Sequence, residues 1–163
     1  MNRKEYNECV DLYSDSVYRF ILKNIKDTEK ANDIVQDSFL KLWDKRKNID
    51  YERVKSYLFT TAYHTMIDSI RKDKNKTQLE DSHLNRGHEV SGNEYTGLKE
   101  ILDMGLNQLP DIQKNLILLR DYEGYSYKEI GEITDLSESQ VKVYIFRARK
   151  AMRDYIVKMD LVI

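Results

Sequence analysis

Residues 126–153 read SYKEIGEITDLSESQVKVYIFRARKAMR. Ser126 with Glu129 and Ser137 with Gln140 each set a hydroxyl three residues before a Glu or Gln, the pairing in which two side chains reciprocally satisfy free backbone amides at a helix start. Two helix starts this close leave room for one short helix over Ser126 to Thr134, rising about 1.5 Å per residue, and for a turn at Asp135 and Leu136 before a second helix. That is the spacing of a helix-turn-helix. Gly131 falls inside the first helix, where glycine costs roughly 1 kcal/mol relative to alanine, so a close crossing that needs a small residue is expected there. Asp135 stands at the turn, and Asp tolerates the positive φ that a tight corner demands.

The second helix has two distinct faces. Val141, Ile145, Ala148 and Met152 form one stripe, suited to packing on the rest of the domain. The opposite face presents Ser139, Lys142, Val143, Phe146, Arg147 and Lys150, with Arg149 beside it. Cations interleaved with apolar side chains suit a DNA major groove: Arg and Lys donate to guanine edges or phosphates, and Val or Phe contacts thymine methyls. The plain alternative is a solvated basic helix.

Upstream, Leu98, Ile101, Leu102, Leu106 and Leu109 keep helical periodicity, and Pro110 sits where a helix can begin without losing a needed amide. Ile112, Leu116, Leu119 and Tyr122 stripe that helix until Gly124, a helix stop. At the other end of the chain, Tyr6, Cys9, Val10, Tyr13, Val17, Phe20 and Ile21 predict a first helix. Ala31, Ile34, Val35, Phe39, Leu42 and Trp43 predict a second, capped by Asp27 or Thr28. A turn at Asn48 to Asp50 precedes a third stripe, Val54, Tyr57, Leu58, Thr61, Ala62 and Thr65, running to Ile70. From Asp73 to Tyr95 periodicity lapses and Gly87 and Gly92 appear, which reads as a linker. No stretch alternates in the manner of a strand. The expectation is an all-α protein of two small helical domains, residues 1–73 and 96–163, joined by a flexible linker over 74–95.

Composition bounds the function. The 163 residues carry a net charge of −1, which argues against nucleic acid until its distribution is considered, because DNA affinity rests on cations placed at phosphates. Ser137 to Lys158 holds Lys142, Arg147, Arg149, Lys150, Arg153 and Lys158 against only Glu138 and Asp154. Further basic groups lie at Lys41 to Lys47 and Arg71 to Lys76, and Glu80 to Asp103 is acidic. Cys9, the single cysteine, excludes an internal disulfide and a multi-cysteine zinc site, and is expected half-buried in the first helix. His64, His83 and His88 lack metal-ligand spacing. No paired carboxylates, nucleophile–base set or phosphate loop points to an enzyme, so no cofactor or small-molecule substrate is expected. With neither a secretory signal nor a membrane-length apolar run, the expected location is cytoplasmic.

The two motif blocks resemble, in order, those of the extracytoplasmic-function sigma factors of bacterial RNA polymerase. LPDIQKNLILLRDYEGYSYKEIGEITDLSESQVKVYIFRARKAM is similar to sigma region four through Leu109 with Pro110, Gly124, and Arg147, Ala148, Arg149. DIVQDSFLKLWDKRKNIDYERVKSYLFTTAYHTMIDSIRKDK is similar to region two through Asp33, Gln36, Asp37, Phe39, Trp43, Tyr57, Leu58, Ala62, Asp68 and Arg71. The resemblance implies that region four reads the −35 element with Ser139, Lys142, Val143, Phe146, Arg147, Arg149 and Lys150. It implies that region two opens the −10 element with Tyr57, Tyr63, His64, Arg71 and Lys72, and that the turn Asp44 to Arg53 captures a flipped base. Glu29, Asp33, Gln36, Asp37 and Phe39 are implied to face core RNA polymerase, and an anti-sigma factor is implied as a further partner. The sequence departs from the family pattern at three places: His64 replaces a common asparagine in the −10-reading helix, Lys114 an arginine after the Leu-Pro pair, and Thr134 with Asp135 a frequent glycine in the turn. A stand-alone helix-turn-helix repressor or activator remains the competing class.

Overall fold

The computed structural model describes residues 1–80 and 97–160, all of it helix, turn or connection. Gly87, Gly92, His83, His88 and most of the expected linker lie outside the described residues. α1, Arg3–Ile25, begins at a capping box in which the Asn2 side chain accepts from the Glu5 amide and Glu5 accepts from that of Asn2, both at 2.8 Å. It ends at Lys26, whose φ of 59° turns the chain. Asp27 then caps α2, Thr28–Lys45, accepting from the amides of Glu29 and Lys30 at 3.0 and 3.2 Å. The expected polar break is therefore a two-residue corner between antiparallel helices. A single 3-10 turn, Tyr51–Arg53, leads into α3, Val54–Glu80.

α3 packs on both α1 and α2. Phe20, Ile21, Leu42, Leu58, Phe59 and Met66 lie fully buried among the three. Cys9, expected half-buried, is fully enclosed, its sulfur 3.8 Å from that of Met1. α3 also runs past the expected domain boundary at Asp73, to Glu80. Residues 73–80, DKNKTQLE, contain neither glycine nor proline, and Lys, Gln and Glu keep helical backbone at little cost. The apolar period lapses although the helix continues: Arg71, Lys72, Lys74, Asn75 and Lys76 are all exposed. Lys30 grips Asp73 at 2.7 Å.

In the second half, α4 (Gly97–Gln108), α5 (Asp111–Ile117), α6 (Tyr127–Thr134) and α7 (Glu138–Asp160) surround Leu106, Leu116, Leu119, Ile130, Ile133, Val141, Ile145 and Ala148. The helix expected from Ile112 to Tyr122 is in fact two pieces: α5, then a wider π turn over Leu118–Tyr122. Gly124 follows with φ of 78°, as its place in the sequence requires.

The halves are in contact. Tyr125, 2% exposed, sets its ring edge-on to Phe59 at 5.2 Å, and Phe59 packs in turn on Phe20. Around this apolar centre Arg19 pairs with Glu123 at 3.3 Å and Lys23 with Asp103 at 3.5 Å. Lys23 also lies over the Tyr122 ring. The Glu123 side chain is only 6% exposed, so this carboxylate depends on its partner. Arg19→Glu should therefore separate the halves: small-angle X-ray scattering is expected to show a larger radius of gyration with unchanged helical circular dichroism, and an unchanged radius refutes the contact.

Lys114 on α5 is buried, its ammonium donating to Asn107 at 3.2 Å. Burial, with the nearby charge of Lys26, lowers its pKa from 10.5 to about 8. Below pH 8 the fold must hold a charged ammonium away from water, a cost on the order of 3 kcal/mol for a depression of this size. Between about 8 and 10.5 the folded state sheds the proton that the unfolded chain still binds, so the penalty fades as pH rises. Lys114→Met should accordingly be more stable than the parent in urea titrations at pH 7, with the advantage shrinking toward pH 10.

Candidate nucleic-acid interface

The corner between α6 and α7 is built as its sequence implies. Ser126 accepts from the Glu129 amide at 3.1 Å while Glu129 accepts from that of Ser126 at 3.3 Å. Ser137 and Gln140 repeat the exchange at 3.2 and 3.0 Å. Asp135 has φ of 61°, and the Leu136 amide returns to the Gly131 carbonyl at 3.0 Å. The small residue at 131 serves the turn rather than a helix crossing: an added Cβ there meets the Leu136 carbonyl oxygen at 2.6 Å.

α7 is oriented by its apolar stripe. Val141, Ile145, Ala148 and Met152 are buried, so Ser139, Lys142, Val143, Phe146, Arg147 and Lys150 stand outward. Phe146 is 70% exposed and Val143 46%, which is costly for side chains with nothing to contact. Lys142 reaches Glu138 at 3.5 Å and lies over the Tyr127 ring. Arg149 differs from its neighbours: its guanidinium forks onto the Asp121 carboxylate at 2.6 and 3.1 Å. Asp121 lies 28 residues away in sequence, and periodicity gave no sign of it.

The first half supplies two further surfaces. On α3, His64, Arg71 and Lys72 are exposed, and Arg71 is paired with Asp68 at 3.2 Å. Tyr57 is half-buried against the core. Tyr63, only 7% exposed, packs edge-on to His64, and burial raises its phenol pKa. A helix returns to nearly the same face every seven residues, so Tyr57, His64 and Arg71 form one stripe and Tyr63 stands off it. On α2, Glu29, Asp33 and Gln36 are exposed and Asp37 holds Lys41 at 2.9 Å. Phe39 is turned inward, with its ring against Tyr6 at 6.5 Å. Leu40, 62% exposed on this acidic face, escaped the sequence reading. Its signal was there: Leu40 is the one large apolar residue of α2 outside the buried stripe. The Asp44 to Arg53 turn exposes Asp44, Lys45, Lys47 and Tyr51, while the Arg46 guanidinium stacks on Trp43 at 3.8 Å.

Residues 9–76 match the sigma-70 region 2 family and residues 99–152 the sigma-70 region 4 family. Over 150 residues the chain is 30% identical to the ECF RNA polymerase sigma factor SigM of Bacillus subtilis (strain 168), covering 90% of this chain and 92% of that one. The chain belongs to the ECF sigma factors.

The sigma factor SigV of the same organism is 32% identical, covering 94% of this chain and 92% of its own length. The fold is that of the sigma factor RpoE crystallised with the anti-sigma factor NepR from Bartonella quintana, with a TM-score of 0.82 and 23% identity over 94% of this chain and 97% of that one. CnrH in complex with the cytosolic domain of CnrY is similar too, at a TM-score of 0.69 and 18% identity over 96% and 90%. No described helix of this sigma factor is long and apolar enough to cross a membrane.

The corner yields a paired test. Gly131→Ala forces Leu136 to move and should cost about 1–3 kcal/mol of stability, as overpacking typically does, despite alanine's better helix propensity. Asp135→Gly, which relieves a left-handed non-glycine residue, should leave the melting temperature unchanged or slightly raised. Thermal denaturation of both variants checks the pair, and an undisturbed Gly131→Ala contradicts the packing argument.

Proposed function

We propose that this ECF sigma factor places α7 in the major groove of the −35 element, with Ser139, Lys142, Val143, Phe146, Arg147 and Lys150 at the DNA. The observation that carries the reading is the exposure of Phe146 and Val143 among cations on the one face of α7 that the fold leaves uncovered. Apolar side chains there select thymine methyls, and the cations supply donors to guanine edges and phosphates. The His64 and Arg71 stripe of α3, continued by Lys72, lies along the strand displaced at the −10 element. Half-buried Tyr57 flanks it, and Tyr63 supports His64 from beneath. The exposed side chains of the Asp44 to Arg53 turn hold the flipped base, whose unstacking costs a few kcal/mol.

Core RNA polymerase is met by the acidic outer face of α2, with Glu29, Asp33, Gln36 and Asp37 around exposed Leu40, while Phe39 braces that helix from inside. An acidic rim around an apolar centre fits a basic partner surface. The protein transfers no chemical group: it contributes binding energy and strand opening to the polymerase, in the cytoplasm. An anti-sigma factor completes the set of partners, as in the RpoE–NepR and CnrH–CnrY complexes.

Arg147→Ala is the decisive substitution. With core polymerase and a promoter of this sigma factor, transcription should fall about tenfold, the loss of one base-edge contact of about 1–3 kcal/mol. On a promoter whose −35 element is already altered the same substitution should have little effect. Equal losses on both promoters would falsify the assignment.

A further inference from the structure

Arg149 lies one residue past Ala148 on α7, next to the face assigned to DNA, and its position alone makes it a phosphate contact. The geometry points elsewhere. Its Nε and Nη2 meet the two Asp121 oxygens at 3.1 and 2.6 Å, the parallel fork in which guanidinium and carboxylate satisfy one another. Asp121 does not hang on a free loop. It sits in the π turn Leu118–Tyr122, which the Glu123 amide closes onto the Leu118 carbonyl at 3.1 Å and the Tyr125 amide onto that of Leu119 at 3.0 Å. Arg120 ties the same turn forward, donating to the Tyr125 carbonyl at 2.8 Å and stacking on the Tyr127 ring at 4.4 Å. That ring is the one over which Lys142 lies.

α7 needs such a restraint. Its buried stripe has alanine at 148, where a small side chain lets one helix roll against another, and a roll moves Lys142, Val143, Phe146 and Arg147 together relative to any base. The fork engages α7 at the next residue and is directional in a way that apolar packing is not.

We propose that Arg149 is a positioning residue: its fork on Asp121 fixes the roll of α7 about its own axis, setting which side chains face the bases, and it does not itself contact DNA. The proposal rests on the −35 reading of α7 given above. Both partners are more than a third exposed as side chains, so the pair adds little to overall stability. Its loss appears as lost discrimination, not as unfolding.

The test uses the full chain with core RNA polymerase, comparing binding to a promoter with its own −35 element and to one with that element scrambled, across a range of salt. Asp121→Asn and Arg149→Gln should each lower the preference for the native element by about the same factor, roughly five- to tenfold, with unchanged circular dichroism. The double swap Asp121→Arg with Arg149→Asp should recover most of it. Arg149→Gln should leave the salt dependence of binding unaltered, since a lost phosphate contact instead lowers the slope of log K against log salt by about 0.9. A fall in slope with Arg149→Gln while Asp121→Asn keeps full preference makes Arg149 a phosphate ligand and overturns the proposal, as does a swap that recovers nothing. A parent chain with no preference for its −35 element overturns the −35 reading and this proposal together. A parental preference that survives both single substitutions overturns the proposal alone.

Discussion

The carbonyl oxygen of Leu136 occupies the space where any other residue at 131 would carry its Cβ, and the direction of α7 depends on that contact. The Leu136 amide bonds to the Gly131 carbonyl at 3.0 Å, which ties the turn to α6, while the Leu136 carbonyl oxygen fills the space a side chain at 131 would need. Asp135 makes the reversal possible by adopting the left-handed region. The Ser137 box then starts α7 at a fixed point, and burial of Val141, Ile145 and Ala148 lays it across α5 and α6. Glycine's loss of roughly 1 kcal/mol of helix propensity is small beside the cost of moving that turn.

A second organising segment is Asp121 to Tyr125, whose side chains reach in three directions. Asp121 holds Arg149 on α7, Glu123 and Tyr122 meet Arg19 and Lys23 on α1, and Tyr125 enters the apolar centre beside Phe59 on α3. One short piece of chain thus touches the proposed DNA-reading helix and both long helices of the other half. The π turn is what lets consecutive residues do this, because its wider winding sets Asp121 and Tyr122 off the α-helical row begun by α5. Arg120, reaching forward to the Tyr125 carbonyl, keeps the segment in that shape.

Much of this architecture was legible because its signals are local. Capping boxes, the positive φ of Asp135, Gly124 and most of the apolar stripes are each determined within a few residues and appear as the sequence implies, whereas Gly131 makes room for the turn instead of a helix crossing and Leu98 of its stripe is exposed. What escaped was long-range or lacked an apolar marker. The π turn has no periodic signature, and the Asp121–Arg149 fork joins residues that no spacing rule connects. Phe39 and Tyr63 were grouped with surface residues by resemblance although both rings are buried. For Phe39 the stripe itself already placed the ring inside, so periodicity was the better guide there. Lys114 shows the opposite failure: a lysine reads as exposed, yet its aliphatic stem is long enough to be enclosed while one amide oxygen receives its ammonium.

The net charge of −1 goes with a sparing use of cations on α7. On α7, Arg149 is engaged with Asp121 and Lys142 reaches Glu138 at 3.5 Å, so Lys142, Arg147 and Lys150 are the cations its outward face has to offer. Even with all three at phosphates, the salt slope would be only about −2.7, or roughly a 40-fold loss of affinity over a fourfold rise in salt. Proteins that hold DNA by their own charge make more such contacts and lose far more. A face this sparingly charged, with Val143 and Phe146 at its centre, contributes selection rather than grip. In the proposed arrangement the polymerase held on α2 supplies the remaining affinity. For that division of labour the angle at which α7 meets the bases matters more than how strongly it is attracted to them, and both the Gly131 corner and the Asp121 fork act on that angle.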